Sequence, residues 1–142
     1  MDVFSKNIHQ KIDWKKVIYL LFIEILSIKM QKFVIIEGKT FEYIIGRSAD
    51  ENHKIIDQAN LYDLWFHVSN YPSCHVICKL ENKKYESKLF HKIIKQGALC
   101  CKQYCKFKNV QDVSIIYTYI KNITKTKTPG QVTAKNINYI SI

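Results

Sequence analysis

The chain lacks the features that would divide it or anchor it. No internal repeat, low-complexity tract or linker interrupts its 142 residues, so one domain with one core is expected. Long apolar runs are missing as well. Val17 to Ile28 is apolar but short, and Glu24 interrupts it, whereas a membrane-spanning helix needs about 20 apolar residues. No small-residue cleavage site follows, which argues against a secretory signal. The five cysteines (Cys74, Cys78, Cys100, Cys101, Cys105) are odd in number. They read as reduced thiols in a reducing compartment, and a cytoplasmic location is expected. Arginine is nearly absent: of 22 basic residues only Arg47 is one. Acids are scarce in one region. From Ser87 to Lys135 ten lysines face a single acid, Asp112, while the first 86 residues are nearly balanced.

What is present supports a packed, basic domain. Apolar residues make up 47% of the chain, enough for a core. The formal charge of +10 attracts polyanions, nucleic acid before anionic membrane. Abundant Lys, Ile and Asn also fit an A/T-rich genome. The uneven placement of the lysines is therefore stronger evidence than their number.

Phe33–Glu37 and Thr40–Ile45 are β-branched and aromatic runs split by Gly38-Lys39, which reads as a tight hairpin. Ser48 caps a short helix reaching about Gln58, with Glu51 as its reciprocal partner. Leu64–Val68 and Cys74–Leu80 are strands joined by a turn containing Pro72. Ser87–Lys106 is the clearest helix, with Leu89, Phe90, Ile93, Ile94, Ala98 and Cys101 forming one apolar stripe. Val113–Tyr119 is a strand, Lys121–Gly130 a basic loop, and short strands follow near Val132 and over Tyr139–Ile142. The expected fold is α+β, order β-β-α-β-β-α-β-β-β, a mostly antiparallel sheet of hairpins with one long helix packed on it. Residues 1–29 form a leader, and 30–142 the domain. An amphipathic helix over 13–29 either docks on the domain or binds a partner. Met30 is a second candidate start, which would make the leader non-native.

The segment Asp63-Leu64-Trp65-Phe66-His67 draws attention. In a strand, Leu64, Phe66 and Val68 share one face and Asp63, Trp65 and His67 the other. Closing the hairpin through residues 69–73 sets Phe66 against Val76 and Leu64 against Cys78. On the other face it sets His67 beside His75, Trp65 beside Ile77, and Asp63 in an ion pair with Lys79. Asp63 and His67 lie roughly 13 Å apart at about 3.3 Å per residue, too far for a dyad. No Ser or Cys nucleophile is paired with a base, so no catalysis is expected. No metal or cofactor is expected either, because Cys74 and Cys78 fall on the face opposite the histidines. Trp65 and His67 are either buried under another element or exposed as a surface.

Gly46-Arg47-Ser48-Ala49 with Glu51-Asn52, then Asp63 to Val68, then Pro72-Ser73-Cys74-His75-Val76, and the tail with Lys121, Lys125, Lys127 and Pro129-Gly130, resemble the NFACT-R domain. The resemblance runs from about Phe33 to the C-terminus and is to the stand-alone form. It implies RNA binding, in a family tied to tRNA, stalled large ribosomal subunits and ribosome-associated quality control. Two positions depart from the family pattern. His53 stands where Asp is expected, and Cys74 where Ser is expected.

The residues expected to contact nucleic acid are Arg47, Asn52, Trp65, His67, Ser73, His75, Lys121, Lys125 and Lys127. Lysines neutralise phosphates without reading sequence. Arg47 and Asn52 lie near a helix N-terminus that favours phosphate. Exposed Trp65, His67 and His75 would stack on unpaired bases or hydrogen-bond to them. Asp63, Lys79, Gly46, Pro129 and Gly130 are structural. RNA is the expected partner, DNA is not excluded, no membrane is expected, and the oligomeric state is open. The alternative is an adaptor that docks a protein through its leader helix or its Trp65 face.

Overall fold

The computed structural model describes residues 11–26 and 30–142. The leader expected over 1–29 therefore lies partly outside the described residues. Its helix α1 covers Trp14–Leu26, and Trp14, Ile18, Leu21 and Phe22 are all more than half exposed. The helix exists, but these apolar side chains are not docked.

The domain proper is α+β, as expected. Its strands are β1 (Met30–Ile36), β2 (Lys39–Gly46), β3 (Leu64–Val68), β4 (His75–Cys78), β5 (Ser114–Tyr119) and β8 (Asn138–Ser141). They form one antiparallel sheet in the order β1-β2-β4-β3-β5-β8. A short 3₁₀ turn, Ile120–Asn122, leads into β6 (Ile123–Lys125), which pairs with β7 (Val132–Ala134) as a separate ribbon. Helix α2 covers Ala49–Gln58 and α3 Ser87–Gln103.

The β1–β2 turn differs by one residue from expectation. Ile36 pairs with Lys39, so Glu37 and Gly38 form the loop. Both have positive φ, 51° and 75°, the pattern of a type I′ turn that matches strand twist. Ser48 caps α2 by accepting from the Glu51 N–H at 3.2 Å. The Glu51 carboxylate reaches back to the Arg47 N–H at 2.8 Å, one residue beyond the expected reciprocal bond.

Alternation along the strands sorts the core into two layers. Tyr43, Ile45, Leu64, Phe66, Val76 and Ile115 pack on the α3 side against Leu89, Ile93, Ile94, Ala98 and Cys101. Each fully buried Leu, Ile, Val or Phe among them contributes about 1.5–3 kcal/mol. The Tyr43 hydroxyl donates to the Ile93 carbonyl at 2.8 Å and ties helix to sheet. On the opposite face Ile44, Trp65 and Ile77 pack against Ile55 and Ile56 of α2, with Ile123, Val132 and Ala134 of the β6–β7 ribbon alongside. The sheet centre is thus covered on both faces. The face of β3 bearing Trp65, weighed as a surface, is not one.

Candidate nucleic-acid interface

The β3–β4 hairpin has the expected register: Leu64 faces Cys78, Trp65 faces Ile77, and Phe66 faces Val76. Just beyond these pairs, His67 and His75 meet on the α2 side with ring centroids 4.9 Å apart, edge to face. Trp65 lies parallel to His67 at 5.6 Å and edge-on to His75 at 5.4 Å. Its indole Nε1–H donates to His75 Nδ1 at 3.0 Å. His67 Nδ1 lies 2.6 Å from the Val68 carbonyl, so that nitrogen carries the proton and donates.

Burial sets the charge of both rings. It pushes the His67 pKa down, against the Val68 carbonyl bond, which raises it. It pushes His75 further, to about 3, helped by repulsion from His67 and His53. Both imidazoles are therefore neutral at pH 7. With the tautomers fixed by their partners, each ring keeps one nitrogen uncommitted: an acceptor at His67 Nε2 and a donor at His75 Nε2. Two neutral rings of opposite hydrogen-bonding sense suit a base edge or a hydroxyl better than a phosphate.

These rings line a cleft of about 810 Å³ between the end of the sheet, the start of α2 and the loop joining β6 to β7. Asn52, Trp65, His67, Ser73, His75, Pro129 and Gly130 all contribute to its wall, so seven residues named from sequence converge there. The volume falls in the range of small-ligand sites. The ribbon loop is held in place from α2. Gly130 has φ +80°, and a Cβ there would lie 2.9 Å from that of Ala49. The Gly130 N–H donates to His53 Nε2 at 3.0 Å. His53, the departure from the family pattern, thus anchors the cleft's outer wall. Sequence reasoning passed over this role, and over Gln131 in the same wall.

The remaining candidates are placed differently. Asn52 is buried, and its Oδ1 accepts from the His75 N–H at 3.3 Å; a Cβ on Gly46 would overlap that oxygen. Ser73 Oγ accepts from the Val68 N–H and donates to the Cys74 carbonyl, both at 3.0 Å. Arg47 pairs with Glu51 at 3.7 Å, and Asp50 and Glu51 occupy the first turn of α2. That helix end already has its carboxylates, which disfavour the phosphate expected there. The Lys121–Gly130 segment is not one loop. Lys121 belongs to the 3₁₀ turn, and its Nζ lies over the rings of Tyr62 and Tyr119 at 4.8 and 5.8 Å. Lys125 ends β6 and pairs with Asp57. Among the described residues Lys127 is exposed and has no ion-pair partner.

The expected Asp63–Lys79 ion pair is absent. Asp63 is fully buried and accepts from the N–H groups of Asn60 (2.9 Å) and Leu80 (3.0 Å). Lys79 pairs instead with Glu42 on β2 at 3.6 Å. Backbone donors within reach win over a mobile ammonium, because a buried carboxylate needs every lone pair engaged. Trp65 and His75 are 1% and 2% exposed, so neither offers a ring face for stacking. All five cysteines are free, and Cys74, Cys78 and Cys101 lie in the α3-side core. Among the described residues no group of His, Cys, Asp or Glu is placed to hold a metal ion. No helix among them is long and apolar enough to cross a membrane.

The geometry defines an α+β module with a cleft at one end of a six-stranded antiparallel sheet. The model of the NFACT protein RNA-binding domain matches residues 29–136, and the chain belongs to that family. RNA binding is the function the family carries. The chain is 28% identical over 97 residues to coiled-coil domain-containing protein 25 of Mus musculus, covering 64% of this chain and 44% of the relative. Its fold resembles the C-terminal part of the fibronectin/fibrinogen-binding protein of Streptococcus suis. The TM-score is 0.69 at 19% identity, over 81% of this chain and 45% of that one. The chain spans less than half the length of each.

Proposed function

We propose that this chain is a non-catalytic RNA-binding protein that engages tRNA or rRNA in the cytoplasm, with a link to translation or to ribosome-associated quality control. The observation that carries the reading is the neutral His67–His75 pair. It leaves one donor and one acceptor at a cleft rimmed by the Lys127 loop. The Ser73 hydroxyl is committed to backbone groups rather than to a base, which supports binding rather than turnover. Lys127 at the rim holds a phosphate, and the imidazole pair meets an unpaired base or a ribose hydroxyl.

The test is tRNA binding by filter retention across a salt series. Affinity should fall by roughly 0.7–0.9 log units per log unit of salt for each phosphate neutralised. Lys127→Gln should reduce that slope by about one phosphate's worth. A flat salt profile would sink the reading, and equal competition by DNA would broaden it to nucleic acids in general. The exposed apolar side chains of α1 favour a second reading, an adaptor that docks a protein through this helix. A complex that survives nuclease and is lost when Ile18 and Phe22 become Ser would support it.

A further inference from the structure

A second cleft lies at the other end of β3. It encloses about 800 Å³ and is lined by Tyr62, Tyr85, Phe90 and Tyr119, with Lys83 and Lys84 at its edge. Tyr62 is 50% exposed although it sits in a well-tied loop. The Asp63 carboxylate clamps Asn60 on one side and Leu80 on the other. The Lys121 N–H donates to the Leu61 carbonyl at 2.9 Å, and the Ile120 N–H to that of Asp63 at 2.9 Å. The Tyr62 ring meets Tyr119 edge to face at 5.9 Å, and the Lys121 ammonium lies over both. Glu81 pairs with Lys83 at 3.0 Å. Lys84 and Lys121 have no ion-pair partner among the described residues.

We propose that this cleft takes an unpaired nucleotide of single-stranded RNA, its base stacked on Tyr62 and its phosphate held by Lys84 and Lys121. The proposal rests on the RNA-binding reading and adds a second contact, distant from the histidine cleft. Exposed aromatic rings beside ammonium groups are how single strands are gripped, since every base offers a π-face. A ring held by bonds on both sides of its loop loses little freedom on binding, which favours stacking. Asp63 is then a positioning residue: its carboxylate fixes the two loops that form the cleft.

The experiment uses the full chain and a fluorescent eight-nucleotide RNA carrying 5-iodouridine, with bulk tRNA as a parallel probe. Light should crosslink the oligomer to Tyr62 or Tyr119 in the wild-type chain. Tyr62→Ala should weaken oligomer binding roughly 5- to 150-fold, the loss expected for one stacked base. Tyr62→Phe should bind like wild type, because the ring remains. Lys121→Gln, which leaves the backbone bond to Leu61 intact, should weaken binding too. Crosslinks confined to the histidine cleft, with Tyr62→Ala unchanged, would overturn this site and leave the RNA reading standing. Binding of tRNA without binding of the oligomer would do the same. Binding to neither would overturn both.

Discussion

Protonation of His75 should make the protein acid-sensitive within a defined window. The ring is 2% exposed, its Nδ1 accepts from Trp65, and its pKa falls to about 3. The titratable groups facing it are His67 on β3 and His53 on α2, and both disfavour a proton on His75. In the unfolded chain the same ring takes up a proton near its ordinary value of 6.5. Between about pH 6.5 and 3 the unfolded state therefore binds more protons than the folded one. Stability must fall as pH falls through that interval, and His75 contributes no pH dependence above 7. The slope approaches 1.36 kcal/mol per pH unit for one site. From pH 7 to pH 5 this amounts to about 2 kcal/mol, a large part of a typical total of 5–15 kcal/mol.

The assay is urea unfolding at pH 7.0, 6.0 and 5.0 for wild type and His75→Asn. The Asn Oδ1 falls near the position of the lost Nδ1 and keeps an acceptor for Trp65. With an m-value of about 2 kcal/mol/M, the wild-type midpoint should drop by roughly 1 M more than that of the variant over this range. The readout is the difference in slope, so a constant loss of packing energy in the variant does not disturb it. His67, also pushed down by burial, contributes the same sign in both proteins and cancels. Parallel pH profiles for the two proteins would refute the buried, neutral assignment of His75.

Two further outcomes follow from the same geometry. Asp63→Ala strands the buried Leu80 N–H and removes the acceptor of the more exposed Asn60 N–H; the loss should be at least the roughly 1–3 kcal/mol of the buried donor in urea unfolding. Asp63→Asn, which keeps one acceptor, should recover part of it, and a loss as large as that of Ala would contradict the clamp. Affinity for tRNA should stay flat from pH 8 to pH 6.5 at fixed salt, because His67 and His75 act as neutral groups. A marked rise on acidification, abolished by His75→Asn, would show that they act as cations.

The β3–β4 register was legible because alternation is a strict signal: once Leu64, Phe66 and Val68 are assigned to the core, only one pairing with Val76 and Cys78 keeps both strands consistent. Helix α3 was legible from its stripe, and α2 from Ser48 and Glu51. Alternation does not say what covers a face, however. Trp65 and His67 were correctly placed on one face, but the α2 helix and the ribbon that cover Trp65 come from distant segments. The ribbon itself was hidden. Ile123-Thr124-Lys125 reads as the start of a basic loop and becomes a strand only by pairing with Val132–Ala134. Asp63 was matched to the wrong partner because a sequence shows side-chain charges and conceals backbone donors.

The lysines explain why recognition has to fall to neutral groups. Net charge draws RNA in, but several ammonium groups here are already engaged: Lys92 with Glu37, Lys79 with Glu42, Lys83 with Glu81, Lys125 with Asp57. The single arginine, the side chain best suited to bidentate contact, is paired with Glu51. An ammonium is a point charge, which positions a phosphate and does not distinguish one base from another. Discrimination must then come from side chains with directional bonds or flat faces. The structure gathers these in two places, the His67–His75 pair and the Tyr62 ring, at opposite ends of one buried strand. Trp65 and Asp63 hold the two ends in register by bonding to His75 and to the Tyr62 loop. On the proposed reading, the strand that looked in sequence like the contact surface is instead the rigid bar between the two contacts.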